Sequence, residues 1–160
     1  AGHVVAYLAR GYGFRYVTMT PRDPAMAGRV AIRPRPIRAQ DAVEVAYAGA
    51  WAETRHAWRG PRHAVMDPDN YCDDDGLTFG DHFRGVLLFG GGCQDYQSVS
   101  HLLDLWDVPL EHLAHSLDSF WSSIEAVARA LMDSRRALTM SDVAPIVADD
   151  LLEGTRWARG

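Results

Sequence analysis

The sequence contains no lysine and only two cysteines, and these absences exclude several classes of protein. Its 16 basic residues, all arginine, are outnumbered by 21 acidic residues, and the formal net charge is −5. A chain with this excess of negative charge has no basic surface for the phosphate backbone of a nucleic acid. We therefore predict no nucleic-acid partner.

The cysteines, Cys72 and Cys93, are too few for a disulfide framework and too far apart in the sequence for a paired metal motif. A reducing compartment is therefore expected, and we predict a cytoplasmic location. The sequence also lacks any apolar run that approaches the roughly 18 residues of a membrane-spanning helix. These features together predict a soluble globular chain without a membrane segment.

The spacing of apolar residues predicts a mainly α (α+β) fold with a small β-hairpin near the N-terminus. Residues 4–11 have helical spacing, and Gly11 suits the position just after a helix end. Alternating runs at 14–20 and 29–34 then predict two paired strands. The hairpin is thus expected directly after the first helix.

Longer helical patterns fill much of the remaining chain. Asp41 opens a predicted helix over 41–58, and apolar residues from Tyr96 to Trp106 line one face of another. A single long helix is predicted from Pro109 to Leu138. A short last helix follows, with Ser141 as its N-cap and Gly154 just past its end.

Residues 60–80 form the least regular stretch, and acidic residues cluster at 67–75. This cluster lacks the ligand spacing and closing glutamate of a calcium-binding loop, so a solvated loop is predicted instead. No role is assigned to the histidines that flank it, which are His56, His63 and His82. Surface or packing roles are expected for three histidines further along, which are His101, His112 and His115.

Four segments, in this order, resemble the zinc peptidase domain of FtsH-type proteases and their stand-alone relatives. They are AGHVVAYLARGYGFRYVTM (1–19), AYAGAWAE (46–53), GGGCQDYQSV (90–99) and IEAVARALMDSRRALTMSDV (124–143). In that family an HEAGH motif on a helix leads into a β-ribbon, then a helix of small residues, then a glycine-rich turn ending in Asp. The resemblance implies a helical zincin-like fold with a Zn²⁺ cofactor.

His3 matches the second histidine of this motif. Two histidines four residues apart lie on one helix face and bind one Zn²⁺, and the intervening glutamate acts as general base. The resemblance therefore implies that His3 is a zinc ligand, and it places the first histidine and the glutamate just before Ala1. Without the resemblance, a single histidine on a helix is more typical of a structural role.

Asp95 matches the third zinc ligand of the family, and Glu53 is a possible ligand in its place or a residue that supports the ligands. Each has an alternative role. An aspartate just before a helical stripe is also typical of an N-cap. Glu53 could instead be a surface charge on its helix, or pair with Arg55 or Arg10.

The resemblance implies one peptidase domain over residues 1–154, incomplete at its N-terminus, with an inserted loop at 60–82 and a tail at 155–160. Such a domain is an endopeptidase that hydrolyses peptide bonds with a metal-activated water. The chain contains no P-loop, so its expected substrates are peptides or proteins that are already unfolded.

The chain holds two of the three expected ligands and lacks the general base, so the 160 residues alone are predicted to be inactive. This shortfall supports a second hypothesis. The chain could be a non-catalytic helical domain, with a degenerate peptidase fold, that binds other proteins.

The two hypotheses differ in what they expect before Ala1. If the chain comes from a zinc peptidase, the two codons that precede Ala1 in the gene encode His-Glu, because that dipeptide completes HEAGH. Sequencing the gene across this point checks the prediction. Any other dipeptide there favours the non-catalytic domain.

Overall fold

The computed structural model describes residues 1–19, 28–32, 36–102, 110–148 and 151. Several predicted features fall outside these ranges. They are Pro34 at the end of the predicted hairpin, the segment 103–109 and Gly154.

The described residues form seven α-helices and three short strands, so the predicted mainly α fold is confirmed. The helices are α1 (Gly2–Ala9), α2 (Ala39–Ala57), α3 (Phe79–Phe89), α4 (Cys93–Val99), α5 (Leu110–Asp118), α6 (Trp121–Asp133) and α7 (Met140–Val143). The strands are β1 (Phe14–Thr18), β2 (Arg29–Ile32) and β3 (Leu138–Thr139). None of the helices in the described ranges has the length and apolar character needed to cross a membrane.

The chain divides into two compact units. The first unit comprises Ala1, His3–Ile37 and Phe120–Gly160, and the second comprises Gly2 and Arg38–Ser119. The three strands therefore belong to the first unit, together with most of α1 and with α6 and α7. Helices α2 to α5 belong to the second unit.

Helix α1 ends as the sequence predicts, at a glycine with left-handed backbone geometry. Gly11 has φ +71°, a conformation that is cheap only for glycine. Its N–H donates to the Leu8 carbonyl, and the Tyr12 N–H donates to the Tyr7 carbonyl. This pair of bonds is a Schellman motif, which satisfies the last carbonyls of the helix and redirects the chain into β1.

Strand β1 is the centre of a three-stranded antiparallel sheet in the order β2-β1-β3. A bulge between Phe14 and Tyr16 adds one residue to β1 relative to β2. Phe14 pairs with Ile32, and Val17 pairs with Val30, so both pairs share one face of the sheet. The bulge thus allows two apolar residues three positions apart to be buried together.

The third strand corrects the prediction of a helix up to Leu138, because Leu138 pairs with Val17 of β1. The prediction of Ser141 as N-cap is also wrong, since Thr139 occupies that position. The Asp142 carboxylate accepts hydrogen bonds from the backbone N–H and the hydroxyl of Thr139, both at 2.8 Å. These hydrogen bonds belong to a capping box, and α7 therefore begins immediately after the strand.

Arg136 further ties this segment to Asp142. Its two terminal nitrogens donate to the two carboxylate oxygens at 2.9 and 2.6 Å. These bonds, followed by those from Thr139, hold the pKa of Asp142 well below its ordinary value of 3.8. The carboxylate that starts α7 is therefore charged across the neutral pH range.

The single long helix predicted from Pro109 is in fact two helices, α5 and α6, separated by Ser119 and Phe120. The backbone of Phe120 has ψ +15°, outside the helical range, and Phe120 is the N-cap of α6. The Asp118 carboxylate accepts a bond from the Arg55 Nε at 3.3 Å. Buried positions continue with helical spacing on both sides of the break, which is why the apolar pattern alone does not reveal it.

Helix α2 is the central element of the second unit and contacts α3, α4 and α5. Tyr47 and Trp51 are fully buried and meet Phe83 and Phe79 of α3 in edge-on ring contacts, with centroids 6.1 and 6.4 Å apart. Between these aromatic residues, α2 carries small residues, mostly alanine. The small residues allow other backbone segments to approach α2 closely.

Two glycine substitutions test these close approaches. Gly2 belongs to the second unit, where an added Cβ would collide with the Ala48 carbonyl oxygen and lie 2.9 Å from the Ala52 Cβ. We expect Gly2→Ala to lower the free energy of unfolding by about 1–3 kcal/mol, because a backbone carbonyl cannot move aside easily. Urea denaturation measures the change.

Gly85→Ala is the matched control, because Gly85 lies inside α3 and an added Cβ there meets nothing within 4 Å. We expect this substitution to raise the free energy of unfolding by about 0.5–1 kcal/mol through better helix propensity. Equal effects of the two substitutions would contradict the close contact at Gly2.

Candidate functional site

His3 lies in the first turn of α1 and is half-buried. The helix that carries His3 is followed by an antiparallel ribbon, which is the order that the resemblance implies. His3 belongs to the first unit, whereas Asp95 and Glu53 belong to the second. The convergence of His3 with Asp95 stays a prediction.

Asp95 lies inside the first turn of α4, three residues after the N-cap, and is half-buried. The N-cap is Gly92, so the alternative role of Asp95 as an N-cap is wrong. A carboxylate in the first helical turn is stabilised by the helix dipole, and this placement accounts for Asp95 without a metal. The position is also compatible with a ligand, since the helix fixes the backbone of the residue.

The glycine run 90–92 precedes α4, and its close contacts are with residues of α2 and α3. A Cβ added to Gly91 would lie 2.9 Å from the Glu53 Oε2, and one added to Gly92 would lie 3.1 Å from the Ala50 Cβ. Neither glycine has a positive φ. These residues are therefore small because the chain passes close to another helix, and not because the turn needs an unusual backbone conformation.

Glu53 is thus placed beside the turn that leads to Asp95. The side chain is exposed, and its carboxylate lies against the backbone at Gly91. The alternative partner Arg55 donates to Asp118 on α5. The structure thus brings one of the three predicted site residues, Glu53, close to the glycine turn that precedes Asp95.

The described residues contain no group of three or more His, Cys, Asp or Glu side chains that could hold a metal ion. Within the described residues, His3 and Asp95 are therefore not part of such a three-residue group. The residues that the structure describes do not by themselves supply a complete zinc site.

The loop predicted at 60–82 has more internal structure than the sequence indicates. It begins with a short 3-10 helix at Arg62–Val65, and α3 starts inside it, at Phe79. The Thr78 hydroxyl accepts from the Asp81 N–H, and the Asp81 carboxylate accepts from the Thr78 N–H and hydroxyl. The sequence does carry this signal, because Thr-x-x-Asp before an apolar run has the spacing of a capping box.

Asp73 organises the acidic turn within this loop. One carboxylate oxygen accepts the N–H groups of Asp75 and Leu77, each at 3.0 Å. The other lies 2.6 Å from the Nε2 of His82, which is in the first turn of α3. The bond with His82, and then that with the Leu77 N–H, lower the pKa of Asp73 from 3.8.

Arg84 provides a second attachment between the loop and α3. Its side chain is 14% exposed, and it donates to the Asp69 carboxylate at 3.0 Å. A second carboxylate, on Asp81, lies 3.9 Å from the same nitrogen. Side chains of the acidic cluster thus pair with a histidine and an arginine of α3, and those pairings have no spacing signal in the sequence.

Among the other histidines, His115 donates through Nδ1 to the Glu111 carbonyl, and His63 contacts Tyr71 edge-on with ring centroids 4.4 Å apart. His112 lies 3.6 Å from the carboxylate of Glu44, whose side chain is only 8% exposed. Sequence reasoning missed the burial of Glu44. Its neighbours Val45 to Ala48 are apolar, and a charged residue at the edge of such a run is normally predicted to be exposed.

The pairing at Asp73 makes a pH-dependent prediction. We expect Asp73→Asn to lower the thermal midpoint at about pH 6, because a charged carboxylate accepts the hydrogen bonds from the His82 ring and the Leu77 N–H more strongly than an amide oxygen does. A carboxyl group whose pKa is lowered by folding stabilises the fold at pH values above its ordinary pKa of 3.8. This contribution is lost as the pH falls through the lowered pKa of the folded protein. The difference between the two proteins should therefore shrink as the pH falls below 3.8.

Thermal unfolding followed by circular dichroism across this pH range measures the effect. Asp74→Asn is the matched control, since Asp74 is the exposed next residue of the same turn. If both variants show the same midpoints at every pH, the Asp73 pairing is not the source of the stability.

No family model, curated protein or solved structure matches this chain. The resemblance to FtsH-type peptidases therefore depends on the four segments of the sequence and on the order of the elements that carry them.

Proposed function

We propose that the chain belongs to a cytoplasmic zinc-dependent endopeptidase domain of the FtsH-like type, with His3 and Asp95 as two of its zinc ligands. One observation carries the proposal, namely the order of the elements. A helix with His3 leads into an antiparallel ribbon, then a small-residue helix with Glu53, and later a glycine turn and the helix of Asp95. That is the order of the family to which the sequence is similar.

The contact between α2 and the glycine turn supports a role for Glu53. The carboxylate of Glu53 lies against Gly91, four residues before Asp95. A carboxylate in this position can orient a metal ligand without binding the metal itself. We assign Glu53 to this supporting role, with direct ligation as the alternative.

Zinc, when bound, would polarise a water molecule for attack on a peptide carbonyl. The chain supplies one imidazole and one carboxylate for that metal, and a histidine and glutamate before Ala1 would complete the set. The proposed substrates are peptides or unfolded proteins. The 160 residues alone should not hydrolyse them, because the general base is absent from the printed sequence.

The second candidate is a non-catalytic helical domain that binds other proteins. It is supported by the printed sequence, which lacks the glutamate general base of the motif and contains only two of the three expected ligands. The two candidates make opposite predictions for a chain in which the motif is completed.

The decisive experiment adds His-Glu before Ala1 and measures zinc per chain by mass spectrometry after dialysis. We expect about one Zn²⁺ per completed chain, because a catalytic site has three protein ligands. His3→Ala and Asp95→Asn should each remove most of this zinc and abolish hydrolysis of a fluorescently labelled unfolded protein. Asp95→Asn changes a single charge and keeps the side-chain shape.

His115→Ala and Asp133→Asn are the matched controls, since both residues are exposed and lie on other helices. Both variants should bind as much zinc as the completed chain and hydrolyse the labelled protein at the same rate. If the Asp95→Asn variant binds as much zinc as the completed chain, Asp95 is not a zinc ligand. A completed chain that binds no zinc and cleaves nothing would leave the non-catalytic domain as the function.

The supporting role of Glu53 has its own test in the completed chain. We expect Glu53→Gln to weaken zinc binding by about 10–100-fold, as is typical when a group that orients a ligand is changed. Gly91→Ala should have a similar effect, because the new Cβ displaces the Glu53 carboxylate. Competition with a fluorescent zinc chelator measures both affinities.

Gly85→Ala is the control for Gly91→Ala, since it adds the same methyl group at a position with no neighbour within 4 Å. Urea denaturation of all variants separates a loss of zinc affinity from a loss of folding. If Glu53→Gln and Gly91→Ala bind zinc as tightly as the completed chain does, Glu53 has no part in the site.

A further inference from the structure

We draw no further inference here: the strongest candidate, the exposed apolar patch of Leu88 and Phe89 at the C-terminal end of α3, carries nothing because nothing in the structure shows what covers it.

Discussion

The close approach of other chain segments to helix α2 is the constraint on which the second unit depends. Bulky aromatic residues of α2 pack against α3, while its small residues leave space for backbone. Ala48 and Ala50 face glycines for this reason, at Gly2 and Gly92. Because packed interiors tolerate little extra volume, these pairs of small residues restrict both sequence and geometry. The same helix carries Glu53, so the packing also decides where that carboxylate lies.

Much of the fold follows from local signals in the sequence. Gly11 ends α1 with the backbone conformation that glycine alone adopts cheaply, and alternation in the next residues predicts β1. The errors have physical causes as well. The apolar spacing continues through Ser119 and Phe120, so periodicity does not detect the break there. Strand β3 has only two residues and depends on pairing with β1, a long-range contact that a local pattern cannot report.

The candidate site was predictable only in part. Asp95 and the glycine turn can be found from the sequence because of the family resemblance, but the neighbours of the glycines cannot. Gly91 and Gly92 lie close to α2, and Gly90 and Gly92 lie close to α3. The pairing of Asp73 with His82 has no comparable signal, since they are nine positions apart and the turn between them must form first. Side-chain pairs of this kind depend on the folded backbone and not on residue spacing.

The position of β3 has a consequence for the way the chain folds during synthesis. Val17 pairs with Leu138, so the central strand is translated long before its last partner leaves the ribosome. The contiguous segment Arg38–Ser119 lies between them and forms a compact unit. Its prior collapse would shorten the effective loop that must close, which lowers the entropic cost of joining the sheet. The sheet is therefore completed only after the helices between its strands have been synthesised, which gives those helices time to assemble first.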